Sequence, residues 1–371
     1  MARNGKQRVS FFLPNLLVGG AERATVYLAN GLAQRGYHVD LVLMKAEGPN
    51  LQCVAEAVRI VDLNTRRATA SILPLARYLR RERPDILLPA LETANVAAFF
   101  GRALSRVPVP LAANVHTTLS RALTQPAGFR FRALARTVRW CYPRMDAIAT
   151  VSRGAAEDLI RAAGARPQRV RVIYPILTEG IAEIARKPAG HPWFAAGQPG
   201  VVLGVGRLCP QKDFDTLIRA FALVRRQHKV RLVIFGEGDL RAELERIVKE
   251  LDLTEVVALP GYVENIFSCM AKAALFALSS AWEAMPMVLT EALACGCPAV
   301  ATDCRSGPEE ILQGGRYGRL VPVGDVQALA EAICRTLSEA RPEFPQEALR
   351  PFSADFVLDQ YSQMIEEVTR G

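Results

Sequence analysis

The sequence of 371 residues has neither paired cysteines nor histidines at the spacing of metal ligands. Its eight cysteines form no Cys-x-x-Cys motif, and the two nearest, Cys295 and Cys297, are separated by one glycine. Because disulfide frameworks and zinc sites have characteristic cysteine spacings, we expect reduced cysteines that pack inside a cytoplasmic protein. The four histidines are scattered along the chain, so we predict no metal site.

Long apolar runs and signs of disorder are absent as well. No apolar stretch reaches the roughly 18–20 residues that a membrane-spanning helix needs. The first eight residues are mostly polar and do not resemble a secretion signal, so we expect no export. Half of the residues are hydrophobic and 22% are charged, which excludes a disordered or fibrous protein. A chain of this length is expected to form two domains.

Acidic residues are scarce in the first half of the chain. Residues 1–180 hold 26 Lys and Arg against 12 Asp and Glu, whereas residues 181–371 hold 20 against 25. Between Glu92 and Asp146 there is no acidic residue, but there are eight arginines: Arg102, Arg106, Arg121, Arg130, Arg132, Arg136, Arg139 and Arg144. Such a surface attracts the phosphates of nucleic acid or of anionic lipid, although a general excess of arginine in the source genome explains it too.

Short apolar runs alternate with helical patterns in both halves of the sequence. An apolar run at 9–13 precedes a helical pattern at 21–35 that ends at Gly36, and the alternation restarts at Val201. Strands that alternate with helices form parallel sheets covered on both faces, so we predict an α/β fold of two doubly wound, Rossmann-like domains. We predict a first domain at 1–180, a proline-containing linker at 181–200, a second domain at 201–350 and a C-terminal helix at 351–371.

Two loops that follow strands carry residues suited to phosphates. Ligands of parallel sheets bind at the carboxyl ends of the strands, and two such domains would face each other across a cleft. Gly19 and Gly20 lie where a helix begins and allow an anion to approach its N-terminus, although a tight turn needs the same glycines. Arg207 and Lys212 place two cations after a strand, where they can neutralise a departing diphosphate or remain solvated surface charges.

Three other polar residues have competing interpretations. Asp213 and Asp215 have the spacing of a metal-binding pair, but they stand where a helix begins. We therefore interpret Asp213 as an N-cap and Asp215 as an acid of the first turn. His116 follows the apolar run 110–115 at the carboxyl end of a predicted strand, so it either contacts substrate or has a structural role.

Two acids flank the start of a predicted helix in the second domain. Glu283 and Glu291 are separated by seven residues, and Pro286 is typical of the first helical position. The backbone N–H groups of Met287 and Val288 are then the first free donors and can meet an anion. Carboxylates beside such donors suit a ligand that carries hydroxyls next to its phosphates, such as a ribose or a sugar ring.

Five motifs in sequence order resemble those of one enzyme family. They are Gly19-Gly-Ala-Glu-Arg23, Gly206-Arg-Leu followed by Gln-Lys-Asp213, Phe235-Gly-Glu-Gly238, Gly261-Tyr-Val263 and the Glu283/Glu291 block. Together they resemble glycosyltransferase family 4, the retaining sugar-nucleotide transferases with the two-Rossmann (GT-B) fold. The resemblance covers nearly the whole chain. It implies transfer of a hexose or N-acetylhexosamine from a nucleotide diphosphate sugar, most often a UDP-sugar, without a metal or other cofactor. The acceptor it implies is lipid-linked, a polysaccharide or lipopolysaccharide.

The resemblance also implies roles for residues of the second domain. Arg207 and Lys212 would hold the donor diphosphate. Glu291 would bind the ribose, and Glu283 would bind the hydroxyls of the donor sugar. Arg207, Lys212 and Glu283 are also counted as catalytic. Backbone around Gly236, Gly238, Gly261, Tyr262 and Val263 would form the nucleobase wall. Many members have Glu-Gly-Phe-Gly where this chain has Glu283-Ala-Met-Pro286, so the side chains of Met285 and Met287 add bulk near the donor sugar.

For the first domain the resemblance implies acceptor binding. Gly20 would meet the diphosphate after domain closure, and the C-terminal helix would cross back onto this domain. His116 would lie near the transferred sugar and is counted as catalytic. We expect a cytoplasmic enzyme, peripheral on the inner face of an anionic membrane. The predicted membrane or acceptor face comprises Arg102, Arg106, Arg130, Arg132, Arg136 and Arg139.

Four other functions compete with this interpretation. A UDP-N-acetylglucosamine 2-epimerase has the same fold but would turn over without an acceptor. A transferase of the same family that uses GDP-mannose would differ in the nucleobase. A nucleic-acid-binding protein would explain the charge, but the sequence has no aromatic-rich stacking surface and its second half is acidic. A non-catalytic binding module would leave the polar motifs unexplained.

Overall fold

The computed structural model describes residues 7–17, 19–120, 129–341 and 344–370, with no side-chain description for 129–133. These residues form two compact units. The first contains residues up to Ile176 together with the C-terminal segment from Pro351, and the second runs from Leu177 to Arg350. Each unit has its own hydrophobic core, and the two are described separately.

Strands and helices alternate within each described unit, because buried apolar runs of four to six residues are followed by amphipathic stretches. The strands are β1 Arg8–Leu13, β2 His38–Leu43, β3 Val58–Asp62, β4 Ile86–Pro89, β5 Ala112–Val115, β6 Ala147–Thr150, β7 Val170–Val172, β8 Val201–Val205, β9 Arg231–Phe235, β10 Val257–Gly261, β11 Leu275–Leu278, β12 Ala299–Thr302 and β13 Arg319–Val321. The helices are α1 Gly20–Gln34, α2 Ala68–Glu82, α3 Glu92–Ser105, α4 Phe129–Cys141, α5 Arg153–Ala163, α6 Ile181–Ala185, α7 Phe214–Val224, α8 Arg241–Glu250, α9 Ile266–Lys272, α10 Met287–Ala294, α11 Pro308–Ile311, α12 Val326–Ser338 and α13 Ala354–Arg370.

The strands pair in parallel in both units, which confirms the predicted fold class. In the first unit the order is β3-β2-β1-β4, and single parallel bridges connect β4 to the sheet β5-β6-β7. In the second unit the order is β10-β9-β8-β11-β12-β13, the arrangement of a doubly wound nucleotide-binding sheet. Since the strands are parallel, the loops that follow them gather at one edge of each sheet.

The C-terminal helix α13 packs on the first unit, as predicted. Val357, Leu358 and Met364 are buried in the core that also contains β1 and α1. A Cβ at Gly31 of α1 would lie 2.6 Å from a methyl carbon of Leu358, so the glycine lets the two helices approach closely. The Tyr361 hydroxyl donates to Asn114 Oδ1 at 3.0 Å, which connects α13 to the end of β5.

Five short elements were not expected from the sequence. β7 and β13 have three residues each, α11 has four, α9 has seven, and α6 lies in the stretch predicted as a linker. Ile181 and Ala185 of α6 are buried, and Asn265 at the start of α9 donates to the Ile184 carbonyl at 3.1 Å. Elements this short carry too few apolar positions to establish a period, so packing rather than pattern determines them. In the described residues, none of the helices combines the length and the apolar character needed to cross a membrane.

Candidate active site

Three loops of the second unit join at the carboxyl edge of its sheet through backbone hydrogen bonds. Gly206 N–H donates to Phe235 O at 3.0 Å, Leu208 N–H to Glu237 O at 2.9 Å, and Gly236 N–H to Gly261 O at 2.8 Å. A Cβ at Gly236, where φ is +141°, would lie only 1.9 Å from the Gly206 carbonyl oxygen. These glycines therefore allow backbone to pack against backbone and fix the floor of the candidate site.

The glycines at the edge of this floor behave in a similar way. A Cβ at Gly238 would lie 2.3 Å from the Leu208 carbonyl oxygen, and a Cβ at Gly261, at φ +87°, would lie 2.6 Å from a carboxylate oxygen of Glu237. Tyr262, directly after Gly261, is 83% exposed. The predicted nucleobase residues thus lie together on neighbouring loops after β9 and β10; their role towards a base is a prediction.

Lys212, which is half-buried, and the buried Glu283 form an ion pair, which the sequence did not predict. Lys212 Nζ lies 2.5 Å from Glu283 Oε1. The carbons of the Lys212 side chain pack over Gly206, where a Cβ would come within 3.0–3.1 Å of them. The glycine therefore makes room for the lysine stem, and the carboxylate fixes its ammonium. An ammonium has three N–H donors, so this contact leaves Lys212 able to donate to a ligand as well.

Neighbouring loops fix the Glu283 carboxylate from several sides. Ser280 Oγ donates to Oε1 at 2.7 Å and Gln211 Nε2 donates to Oε2 at 3.2 Å. The loop after β12 holds the backbone, because Glu283 N–H donates to Arg305 O at 3.1 Å and Ser306 N–H donates to Glu283 O at 2.7 Å. Donors from three side chains, Lys212, Ser280 and Gln211, therefore hold the carboxylate in one orientation.

Sequence reasoning missed several of these partners. Gln211 and Ser280 are next to predicted residues in loops that follow strands. That position is the sequence signal that could have identified them as site residues. Arg305 is exposed in the loop that holds Glu283, and no role was predicted for it. Hydrogen bonds across three loops depend on the fold and cannot be seen in a linear pattern.

Arg207 differs from Lys212 in its surroundings. Its side chain is exposed, and no hydrogen bond or ion pair to it occurs within the described parts of the chain. A guanidinium is charged at any physiological pH and presents a fork of N–H donors that matches a phosphate. Arg207 is therefore a cation at the rim of the glycine floor, with its donors open to a ligand.

The start of α10 supplies further donors. Pro286 precedes the helix, and its carbonyl accepts from Leu289 N–H at 2.9 Å. The N–H groups of Met287 and Val288 belong to the first turn, where a helix has no internal acceptor for them. Glu291 is buried one turn later, and Thr178 Oγ1 donates to its Oε1 at 3.3 Å. Thr178 carried no signal in the sequence.

Asp213 and Asp215 have the structural roles that the sequence predicted. Asp213 caps α7, accepting from Thr216 N–H at 3.4 Å and from Thr216 Oγ1 at 2.7 Å. Asp215 accepts from Arg219 Nε at 2.6 Å, one turn along the same helix. Both carboxylates are therefore used within α7. Among the described residues, no three His, Cys, Asp or Glu side chains cluster as a metal site would require.

In the first unit, the predicted glycine loop begins α1. A Cβ at Gly19 would lie 2.1 Å from a carboxylate oxygen of Glu22, so the carboxylate of Glu22 lies over the Gly19 backbone. A Cβ at Gly20 would meet nothing within 4 Å. The Glu22 carboxylate is the far end of a flexible side chain that can move aside, so packing inside this unit requires neither glycine. The predicted contact between Gly20 and a diphosphate stays a prediction.

His116 lies at the carboxyl end of β5 and lines a small cavity. The same cavity is lined by Thr25 of α1, by Tyr174, which follows β7, and by Tyr361 of α13. Burial lowers the pKa of His116 to about 4, although part of its surface stays accessible through the cavity. The imidazole is therefore neutral at pH 7, able to donate from one nitrogen and accept at the other. Its predicted place beside the transferred sugar stays a prediction.

The six predicted docking arginines have different surroundings. Arg102 forms an ion pair with Asp146 and is not free. Arg139 is exposed and donates from Nε to the Ala162 carbonyl at 3.0 Å. Arg106 and Arg136 are exposed. The side chains of Arg130 and Arg132 lie outside the described residues.

Glycosyltransferases of the GT-B fold have two doubly wound units, with glycine-rich loops and cations at the edge of a sheet. The family description Glycosyltransferase Family 4 matches residues 18–177, and Glycosyl transferases group 1 matches 199–339. The chain belongs to this family and is a glycosyltransferase.

Several known proteins are similar over nearly their whole length. The N-acetylgalactosamine-N,N'-diacetylbacillosaminyl-diphospho-undecaprenol 4-alpha-N-acetylgalactosaminyltransferase of Campylobacter jejuni is 30% identical, with 90% of this chain and 91% of that protein covered. The lipopolysaccharide core biosynthesis glycosyltransferase LpsE of Rhizobium meliloti is 28% identical, with 94% and 96% covered. The crystal structure of Anabaena HepE in complex with UDP-glucose superposes with a TM-score of 0.78 at 21% identity, covering 97% of this chain and 100% of that one. This last likeness concerns the fold.

Proposed function

We propose that the enzyme transfers a hexose or N-acetylhexosamine, with retention, from a UDP-sugar to a lipid-linked, polysaccharide or lipopolysaccharide acceptor. The observation that carries the proposal is the joint placement of Arg207, Lys212 and the start of α10 at one sheet edge of the second unit. When the bond between the sugar and the diphosphate breaks, negative charge grows on the leaving group. Fixed cations and N–H donors at that position stabilise it without reorganisation.

The two acids have separate roles in this proposal. Glu291 accepts hydrogen bonds from the ribose hydroxyls, as suits a buried carboxylate next to a helix start. Glu283 positions Lys212 through the 2.5 Å ion pair and contacts a hydroxyl of the donor sugar. Lys212 donates its other N–H groups to the diphosphate. The leaving group is thereby stabilised by protein cations, and no metal is required.

The choice of donor and acceptor rests on similar proteins. Two Campylobacter jejuni relatives are named as N-acetylgalactosaminyltransferases that act on undecaprenol-diphosphate-linked sugars, and LpsE is named for lipopolysaccharide core synthesis. The HepE structures hold UDP, or UDP-glucose. These names favour a UDP-sugar and a lipid-linked or lipopolysaccharide acceptor here. We assign acceptor binding to the first unit, and a peripheral position at the cytoplasmic membrane surface to the enzyme.

A thermal shift screen with UDP- and GDP-sugars, followed by a transfer assay, tests the proposal. A ligand at a hundred times its Kd stabilises the folded state by about 2.7 kcal/mol, so a true donor raises Tm. We expect a rise with a UDP-sugar and little with GDP-mannose, and release of UDP only when an undecaprenol-diphosphate-linked acceptor is added. Acceptor-free conversion of UDP-N-acetylglucosamine to its 2-epimer would indicate an epimerase instead. No shift with any nucleotide sugar would overturn the proposal.

A further inference from the structure

An exposed aromatic patch lies on the first unit, where the ends of α3 and α4 are neighbours. Trp140 is 47% exposed and Leu104 is 44% exposed. Phe100, one turn before Leu104, stacks on the Trp140 indole with 5.9 Å between ring centroids and 15° between planes, and Phe99 meets Trp140 edge-on at 5.2 Å. Phe100, Leu104 and Trp140 are named the aromatic patch. Phe100 is half-buried, so the patch exposes apolar surface mainly through Trp140 and Leu104. Exposed apolar surface of this kind is typical of a binding surface.

Arginines surround the aromatic patch. The Arg144 guanidinium lies 4.8 Å from the centroid of the Trp140 ring, and its Nη1 donates to the Trp140 carbonyl at 2.6 Å. Arg136 is exposed one turn before Trp140 on the same face of α4, and Arg139 is exposed beside it. Apart from Glu92 at the far end of α3, these two helices contain no acidic residue. The patch is therefore apolar at its centre and cationic at its border.

A basic groove adjoins the patch through Phe99. It has a volume of about 780 Å³ and follows the amino ends of β5, β6 and β7. Its charged lining residues are Arg102, Arg106, Arg169, Arg171, Asp146 and Glu367. Asp146 pairs with Arg102, and Glu367 pairs with Arg171. Arg106 is exposed with no ion pair to any described residue, so the groove keeps a positive charge.

Patch and groove lie away from His116, the residue of this unit that is assigned to the reaction. α3 and α4 end where β5 and β6 begin, at the amino-terminal edge of this sheet. His116 follows β5 at the opposite edge, and a strand of four residues at about 3.3 Å each separates the two edges by about 13 Å. The surface is therefore distinct from the surroundings of His116, and we look for a separate partner to account for it.

We propose that the aromatic patch and the basic groove together bind an anionic lipid surface. Tryptophan and leucine enter the boundary between headgroups and acyl chains, where an indole is stable. Arginine forks pair with lipid phosphates, and the groove takes one headgroup beside the patch. An aromatic centre with an arginine border has both components that such binding needs, whereas charge alone would not explain the exposed Trp140 and Leu104.

Vesicle binding tests this proposal with the whole chain. At low salt the enzyme is expected to sediment with phosphatidylglycerol vesicles and not with phosphatidylcholine vesicles, and salt is expected to release it. In a variant that keeps Trp140 as its only tryptophan, with Trp193→Phe and Trp282→Phe, the emission shifts to the blue on binding. Failure to bind phosphatidylglycerol vesicles, or an unshifted emission from bound protein, contradicts the proposal.

Variants separate the patch from general basicity. Trp140→Ala with Leu104→Ser, and Arg106→Glu with Arg136→Glu, are each expected to weaken vesicle binding about tenfold or more. Leu73→Ser is the matched control for the first pair, because Leu73 is 46% exposed on α2 of the same unit. Arg226→Glu, an exposed arginine of the second unit, is the control for the second pair. Equal loss in the controls would overturn the assignment.

Two further measurements distinguish other partners. Turnover with a short, soluble acceptor is expected to be unchanged in the patch variants, so loss of lipid binding and failure of the transferase proposal give different results. Size-exclusion chromatography tests whether a second copy covers the patch. A dimer that Trp140→Ala dissociates, together with absent vesicle binding, would assign the surface to self-association and reject the lipid proposal.

Discussion

At the scale of single residues, the Lys212–Glu283 pair is proposed to combine a structural and a catalytic task. The Glu283 carboxylate is buried, the Lys212 side chain is 16% exposed, and their charges lie 2.5 Å apart. Removing one partner leaves an uncompensated charge, which costs about 3–5 kcal/mol in buried pairs. Loss of activity in a single variant therefore has two causes, damage to the fold and loss of a donor to the diphosphate.

A double variant separates these causes. Lys212→Met is expected to lower both Tm and turnover, the latter by about 10²–10³-fold. Adding Glu283→Gln removes the buried charge and is expected to recover much of the Tm while turnover stays low. Thermal unfolding and UDP-release kinetics measure the two effects. Recovery of turnover together with Tm would show that Lys212 acts only on stability.

His116 gives a pH-dependent prediction. Its pKa of about 4 in the folded protein lies below the 6.5 of an ordinary histidine, because burial disfavours the imidazolium. Between these two values the unfolded chain binds the extra proton, so stability is lost as pH falls from 6.5 to 4. NMR titration is expected to show His116 neutral above pH 5, and His116→Gln to reduce the loss of stability. A midpoint near 6.5 would contradict the burial described for this side chain.

At the scale of elements, the glycine floor makes a prediction about stability. Gly236→Ala would place a methyl group 1.9 Å from the Gly206 carbonyl oxygen, so the loops must separate. We expect a loss of about 1–3 kcal/mol of unfolding free energy, with UDP binding weakened in parallel. Gly20→Ala is the matched control for stability, because its Cβ would meet nothing within 4 Å. Equal Tm values for the two variants would show that the loops are not packed in this way.

The sequence allowed prediction of most elements but not of the contacts between them. Parallel strands with buried apolar runs, such as β8, and the cap at Asp213 follow local rules, so both were predicted correctly. The Lys212–Glu283 pair joins residues 71 positions apart, and Thr178 reaches Glu291 over 113 positions. Such contacts depend on how strands are ordered in the sheet, which a linear pattern does not specify.

At the scale of the whole molecule, the chain forms two units with separate cores, and we assign a different role to each unit. In the second, cations and the start of α10 gather at one sheet edge, where the donor is proposed to bind. In the first, His116 and the aromatic patch lie at opposite edges of one sheet, so their proposed roles in sugar transfer and in membrane binding can be tested separately. The chain crosses from the second unit back to the first near Pro351, and α13 completes the first core.

Calorimetric titration of UDP tests the central claim, that protein cations and not a metal hold the donor diphosphate. Arg207 is the residue to vary, because its exposed side chain has no ion pair among the described residues and its loss should leave Tm unchanged. We predict that UDP binds equally well with and without EDTA, that Arg207→Ala weakens binding about tenfold or more, and that Arg226→Ala does not. UDP binding that disappears with EDTA, or that is the same in Arg207→Ala and the unmodified enzyme, would contradict the account.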